Sequence, residues 1–388
     1  MTERITRQEL IRRAAIGGAA ISVPGFLAAC GGSSSSAAKT TTAAIAHTLP
    51  KKLTWSNWPL YIDVNEKTKT HPTLVAFEKH YGIDVTYLED VNDNDSFFGK
   101  IEGPLAQGQS IHRDLIVLTD YSGLPARMIK LGWVEKLDKS AIPNIKNLIP
   151  EQQHPAWDPA REYSLPWQSG FTGIGYDPVK VGGELTSVEQ LLTDPKLKGK
   201  VTLLNQMPDT VGLVMLANGD DPSHVTKTAY DKAVKQIKKA VDSGQVRQFT
   251  GNDYAPLLAK GDVWAAIAWS GDLVQLKADH PGLKWNLPAT GGIVWTDNML
   301  IPKGGNIYGA SVLMNWYYQP SIMAKVEDYV NYVPPVIGTD KALAKIDPSV
   351  AKNPLIIPPP SVLKNAHQFD PAAVNNQTFK RQFQALMG

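Results

Sequence analysis

The sequence predicts an α/β fold, with parallel strands covered by helices on both faces. Three observations carry this. Strand-like and helix-like stretches alternate along the chain instead of segregating. Asp114–Leu118 and Val263–Trp269 are largely apolar runs, as expected of strands buried on both faces. The 388 residues are 43% hydrophobic and 20% charged, an ordinary globular composition at a length that suits two cores. A disordered, collagen-like or multiply membrane-spanning chain is excluded.

Residues 1–29 read as a signal peptide. Met1–Arg13 is polar and ends in Arg12-Arg13, and Ala14–Ala29 is a weakly apolar run broken by Gly17, Gly18 and Pro24. That run is too short and too interrupted to span a bilayer. A basic start, an apolar middle and small residues at the end define a secretory leader. The paired arginines point to the twin-arginine route, but Ile11 and Ala15 depart from its consensus, so the general route stays open. Leu27-Ala28-Ala29-Cys30, followed by Gly31, has the form of a lipobox. The single cysteine, Cys30, would take a lipid there and become the mature N-terminus, anchoring the protein to a membrane outside the cytoplasm. One cysteine supports neither a disulfide framework nor a Cys-based metal site. The rest of residues 30–50 is a tether, rich in Ser, Ala and Thr up to Ala46. The leader holds Arg4, Arg7, Arg12 and Arg13 against Glu3 and Glu9, so the net charge of +2 belongs to it. The remainder of the chain is balanced in charge and gives no reason to expect nucleic acid.

Leu53–Trp58 reads as the first strand. Pro72–Tyr81 places Leu74, Val75, Phe77 and Tyr81 at helical spacing, with Gly82 to close the helix. Ile83–Leu88 alternates as a strand, and Leu124–Leu131 is a helix stopped by Gly132. Thr226–Ser243 is the clearest helix, with Ala229, Ala233, Ile237, Ala240 and Val241 as its inner stripe and Gly244 at its end. Ligands in such folds sit beyond the carboxyl ends of the strands. No internal repeat is visible.

A search for catalytic motifs finds no H-E-x-x-H pair, no G-x-S-x-G elbow, no P-loop and no G-x-G-x-x-G. The acidic run Asp90–Asp95 fails as a calcium loop, because Asp95 stands where Gly is needed and Ile101 where the bidentate Glu belongs. It reads as a polar loop. No cofactor and no metal is expected. Aromatic usage does stand out: Trp 10 and Tyr 13 against Phe 9, a bias toward rings with a polar edge, which suits a wet cleft. Trp133, Trp157, Trp285 and Trp316 are assigned to packing.

LTWSNWPLY (Leu53–Tyr61), DLIVLTDY (Asp114–Tyr121), YSLP (Tyr163–Pro166), GGIVWTDNMLIP (Gly291–Pro302) and NYVPP (Asn331–Pro335) occur in that order. Together they resemble the spermidine/putrescine-binding proteins that serve ABC importers, over most of the chain from about Lys51. The resemblance implies a periplasmic-binding-protein type II fold, two α/β lobes with a hinge and a ligand cleft between them. Residues 51–169 with 298–340 would form lobe 1, and residues 170–297 with 341–388 lobe 2. It implies a monomeric, non-catalytic receptor that hands a polyamine or related small cationic amine to membrane permease subunits.

The same resemblance proposes an aromatic box of Trp58, Tyr61, Tyr121, Trp269, Trp295 and Tyr332. The physical logic is independent: aromatic walls hold methylenes and attract ammonium groups, about 0.5–2 kcal/mol per good contact. Ammonium groups taken out of water also need counter-charges. Asp297, two residues after Trp295 and so on the same strand face, is the first candidate. Asp209 is the second, either capping the apolar helix Thr210–Ala217 or facing the cleft, with Gln206 beside it. Gln368 matches a family glutamine. Leu60 and Gln206 stand where the family usually has carboxylates, which favours a shorter diamine, a monoamine or a zwitterion over spermidine and spermine. Aromatic clefts also serve sugars, so a secreted sugar-binding lipoprotein or a carboxylate-dependent glycoside hydrolase is the competing reading.

Overall fold

The structure, a computed structural model, describes residues 47–388. The expected signal peptide, Cys30 and most of the expected tether lie outside the described residues. No helix among the described residues is long and apolar enough to cross a membrane.

Ten strands form one sheet: β1 (Lys52–Asn57), β2 (Asp84–Glu89), β3 (Leu115–Thr119), β4 (Ser164–Tyr176), β5 (Val201–Leu204), β6 (Val246–Thr250), β7 (Ala265–Trp269), β8 (Lys284–Asn286), β9 (Gly292–Leu300) and β10 (Ala366–His367). The order is β2-β1-β3-β9-β4-β7-β5-β6, with β8 on β4 and β10 on β9. Helices of seven residues or more are α1 (Pro72–Tyr81), α2 (Asn94–Ala106), α3 (Leu124–Lys130), α4 (Met207–Ala217), α5 (Lys227–Asp242), α6 (Tyr254–Lys260), α7 (Ser270–Asp279), α8 (Ile307–Tyr317), α9 (Pro320–Val330), α10 (Thr339–Ile346) and α11 (Gln377–Gln384).

The expected elements form where the patterns put them. Helix α1 has the expected bounds and ends on Gly82 in the left-handed region (φ 68°), its N–H returning to the Glu78 carbonyl. Helix α5 is capped by the Thr226 side chain on the Ala229 N–H, and Ala229, Tyr230, Ala233, Ile237 and Ala240 are buried on its inner face. All five residues of β3 and all five of β7 are buried, as their apolar runs require.

The sheet departs from the expected all-parallel pairing. The trio β2-β1-β3 is parallel, and so is the trio β7-β5-β6, but β9 and β4 join them through antiparallel ladders. The two trios therefore run in opposite directions, and their carboxyl ends converge on the middle of β4 and β9. Thr119, the last residue of β3, pairs with Asp297. Trp269, the last residue of β7, pairs with Thr172. In turn Thr172 pairs with Ile293, only four residues from Asp297 along β9. Both crevices that parallel strands leave at their carboxyl ends thus open at one place.

Several elements were not placed from the sequence, and two of them run against its local signals. Strand β4 contains Pro166, Gly170, Gly173 and Gly175, residues that ordinarily argue against a central strand. Helix α2 begins in the acidic run read as a loop: Asp93 is its N-cap, accepting from the Ser96 N–H, and Gly99, Gly103 and Pro104 disguise its body.

Candidate functional site

Six aromatic side chains from five segments line one cavity. Trp58 and Tyr61 come from the turn after β1, and Tyr121 from the turn after β3. Trp269 ends β7, Trp295 lies within β9, and Tyr332 follows α9. Each is buried. Five of them form a chain of ring contacts, edge to face at Trp58 on Trp269 (5.8 Å, 82°), Tyr61 on Tyr332 (5.3 Å, 86°) and Trp269 on Trp295 (6.3 Å, 75°). Trp295 and Tyr332 meet at 5.4 Å. Gly170 makes this possible, since a Cβ there would stand 2.6 Å from the Trp295 ring and 2.9 Å from that of Tyr332.

Carboxylates are built into this wall through hydroxyl donors. Asp297 accepts from Tyr61 Oη (2.6 Å) and Thr119 Oγ1 (2.6 Å). Asp272, in the first turn of α7, accepts from Tyr332 Oη (2.6 Å), Tyr254 Oη (2.6 Å) and Asn252 Nδ2 (3.1 Å). Both line the cavity. Asp209 does not. It lies fully buried behind the aromatic wall, accepting from Tyr121 Oη, Thr172 Oγ1 and Trp269 Nε1. Nor is Asp209 the cap of its helix: α4 starts at Met207, with Gln206 as its N-cap residue, which places Asp209 in the first turn. Its role here is to orient two of the six rings.

Burial disfavours the charged form of all three acids. The Asp297 carboxyl is pushed up to about 7, chiefly by desolvation, with the Thr119 and Tyr61 bonds pulling the other way. Asp209 is pushed up to about 6 for the same first reason, and Asp272 is raised. Among the described residues no Lys or Arg lines the cavity. A cation placed against Asp297 and Asp272 would supply the missing positive charge.

The remaining sequence candidates fall elsewhere. Gln206 is buried but lines a separate hollow, its side-chain carbonyl accepting from Asn94 Nδ2 at 2.9 Å. Gln368 is exposed just past β10 and is not part of the cavity wall, because the short β10 pairs with the Gly292 end of β9, away from Asp297. Leu60 adopts φ 56° and is 47% exposed, on a wide outer hollow that shares Pro59, Asn252 and Asp272 with the cavity. Sequence reasoning missed Asp272, Thr119, Asn252 and Pro59. Asp272 had a usable signal: it follows the end of β7 by three residues, at the carboxyl end of a buried strand, where such folds bind ligands.

The sequence model of the bacterial extracellular solute-binding protein family matches residues 73–358. The chain is 30% identical over 332 residues to the putrescine-binding periplasmic protein SpuD of Pseudomonas aeruginosa, covering 81% of this chain and 85% of that one. It is 26% identical over 314 residues to spermidine/putrescine-binding periplasmic protein 1 of Haemophilus influenzae, covering 81% and 84%. The fold is similar to that of the spermidine/putrescine ABC transporter substrate-binding protein PotD of Streptococcus pneumoniae. That match has a TM-score of 0.68 at 20% identity, over 87% of this chain and 100% of that one.

Proposed function

Because this chain belongs to the bacterial extracellular solute-binding proteins, we propose that it is the substrate-binding component of an ABC importer for a short cationic amine. The observation that carries the reading is the pairing of two hydroxyl-held carboxylates, Asp297 and Asp272, within one aromatic cavity. An amine chain would lay its methylenes against the rings and bring its ammonium groups to the two acids, the charge-assisted bond being the stronger contact. The relatives named as binding putrescine and spermidine support this choice of ligand class. The count of acids expected from the sequence stands at two, with Asp272 in the place given to Asp209. That count favours a diamine.

The reading is of a carrier, so ligand leaves chemically unchanged. Residues 51–169 with 298–340 and residues 170–297 with 341–388 would act as two lobes, hinged where β4 and β9 cross between the parallel trios. Exported by its leader and held by lipid on Cys30, a monomer would carry the amine to membrane permease subunits. Equilibrium dialysis against putrescine, agmatine, spermidine, spermine, 4-aminobutyrate and a few sugars tests it. Saturable retention of putrescine, recovered intact, is expected. Retention of a sugar with none of any amine would overturn the assignment.

A further inference from the structure

One side chain links the cavity wall to a second hollow. Asn94, at the start of α2, is fully buried. Its Nδ2 donates to Thr119 Oγ1 (2.9 Å) and to Gln206 Oε1 (2.9 Å), and its Oδ1 accepts from the Thr119 N–H (3.0 Å). Thr119 belongs to the wall of the aromatic cavity. Gln206 belongs to the wall of the second hollow, between the start of α2, the turn before α4 and helix α11. Asn94 borders neither space, yet it is bonded to a wall residue of each.

The second hollow has the chemistry to receive a cation. Asp93 and Asp95 stand on its wall against one lysine, Lys380, which leaves one negative charge in excess. The Asp93 carboxylate is engaged by the Ser96 N–H. Asp95 is exposed on that wall, where partial desolvation raises its carboxyl and Lys380 offsets part of that. Asn94 and Gln206 add no charge to the barrier; both are neutral amides, Asn94 bonded to Gln206 and Thr119, and Gln206 also donating from Nε2 to Asn205 Oδ1 (3.3 Å).

We propose that Asn94 is the length stop of the amine cavity, a partition that separates the aromatic box from the acidic hollow and so confines the ligand to amines without a charged extension on that side. This rests on reading the cavity as an amine site. Truncating the amide would join the two spaces, and a third ammonium reaching through would meet Asp95.

The test titrates putrescine and spermidine into the wild-type protein and into Asn94→Ala and Asn94→Ser, by calorimetry, with thermal transitions recorded for each. The expected result is a fall of at least tenfold in the ratio of spermidine Kd to putrescine Kd in Asn94→Ala, reversed when Asp95→Asn is added. A partition that merely supports the fold would weaken both amines alike and leave the ratio fixed, and that outcome overturns the proposal. If Asn94→Ala does not fold, Gln206→Ala opens the same barrier from the hollow's side and is held to the same ratio. Wild-type protein that binds neither amine overturns the amine reading itself, a failure visible before any variant is made.

Discussion

The acids around the cavity differ in what faces them, and their behaviour should differ accordingly. Asp297 is reached by the cavity and answered only by neutral hydroxyls, so Asp297→Asn should weaken amine binding at least tenfold, about 1.4 kcal/mol. The melting temperature of the empty protein should hold or rise, since an unpaired buried charge has been removed. Unchanged affinity by calorimetry would take Asp297 out of the site. Protonation gives an independent check. An ammonium needs the ionised carboxylate, so affinity should climb between pH 5.5 and 8 as Asp297 titrates near 7. The empty protein should do the reverse. A carboxyl raised from 3.8 to about 7 or about 6 contributes stability that is full below about 4 and lost as pH rises through those values. Its thermal midpoint should therefore drop from pH 5 to pH 8, and a flat profile would mean these carboxyls are not so shifted. The sequence showed Asp297 because it shares a strand face with Trp295. It hid Asp272 because that acid lies in the first turn of a helix, where a carboxylate has an ordinary reason to be.

Among elements, β1, β3 and β7 were readable to within two residues because each writes a mainly apolar run, whereas the equally buried β5, only four residues long, was not placed. Strand β4 was unreadable for a reason the cavity supplies. Its glycines sit where large rings press on the strand: Gly170 lies under Trp295 and Tyr332, and a Cβ on Gly173 would stand 2.6 Å from the Trp285 ring. Of the residues that spoil the strand pattern, Gly170 makes room for the box, whereas Gly173 makes room for Trp285, which stands outside it. Gly170→Ala should consequently displace Trp295, costing about 1–3 kcal/mol of stability by overpacking and at least tenfold in amine affinity. Denaturant titration and calorimetry on the one variant measure both, and wild-type values in both would mean the rings can move aside. Of the aromatic residues, Trp58, Tyr61, Tyr121 and Trp269 were legible because each ends a strand or follows one closely, whereas Trp295, inside β9, and Tyr332, after a helix, were reached only through the family motifs.

For the whole molecule, ligand binding should register as stability. Putrescine at a hundred times its Kd is expected to stabilise the protein by about 2.7 kcal/mol, seen as a rise in the thermal midpoint that sugars do not reproduce. No rise with any amine would remove the class of ligand argued from the box. The topology has a further consequence, for assembly. Strand β9 lies at the centre of the sheet, between β3 and β4, yet it is synthesised long after either. Until residues near 300 are available, the inner edges of β3 and β4 stay open, and open strand edges invite wrong partners. Contacts so distant in sequence also make folding slow. The half β4-β7-β5-β6 comes from one stretch of chain, Ser164–Trp269, but the half β2-β1-β3-β9 cannot be cut out without a break. The strand that carries Asp297 is thus the keystone of the fold as well as a wall of its cavity, and a chain stopped before it would have neither.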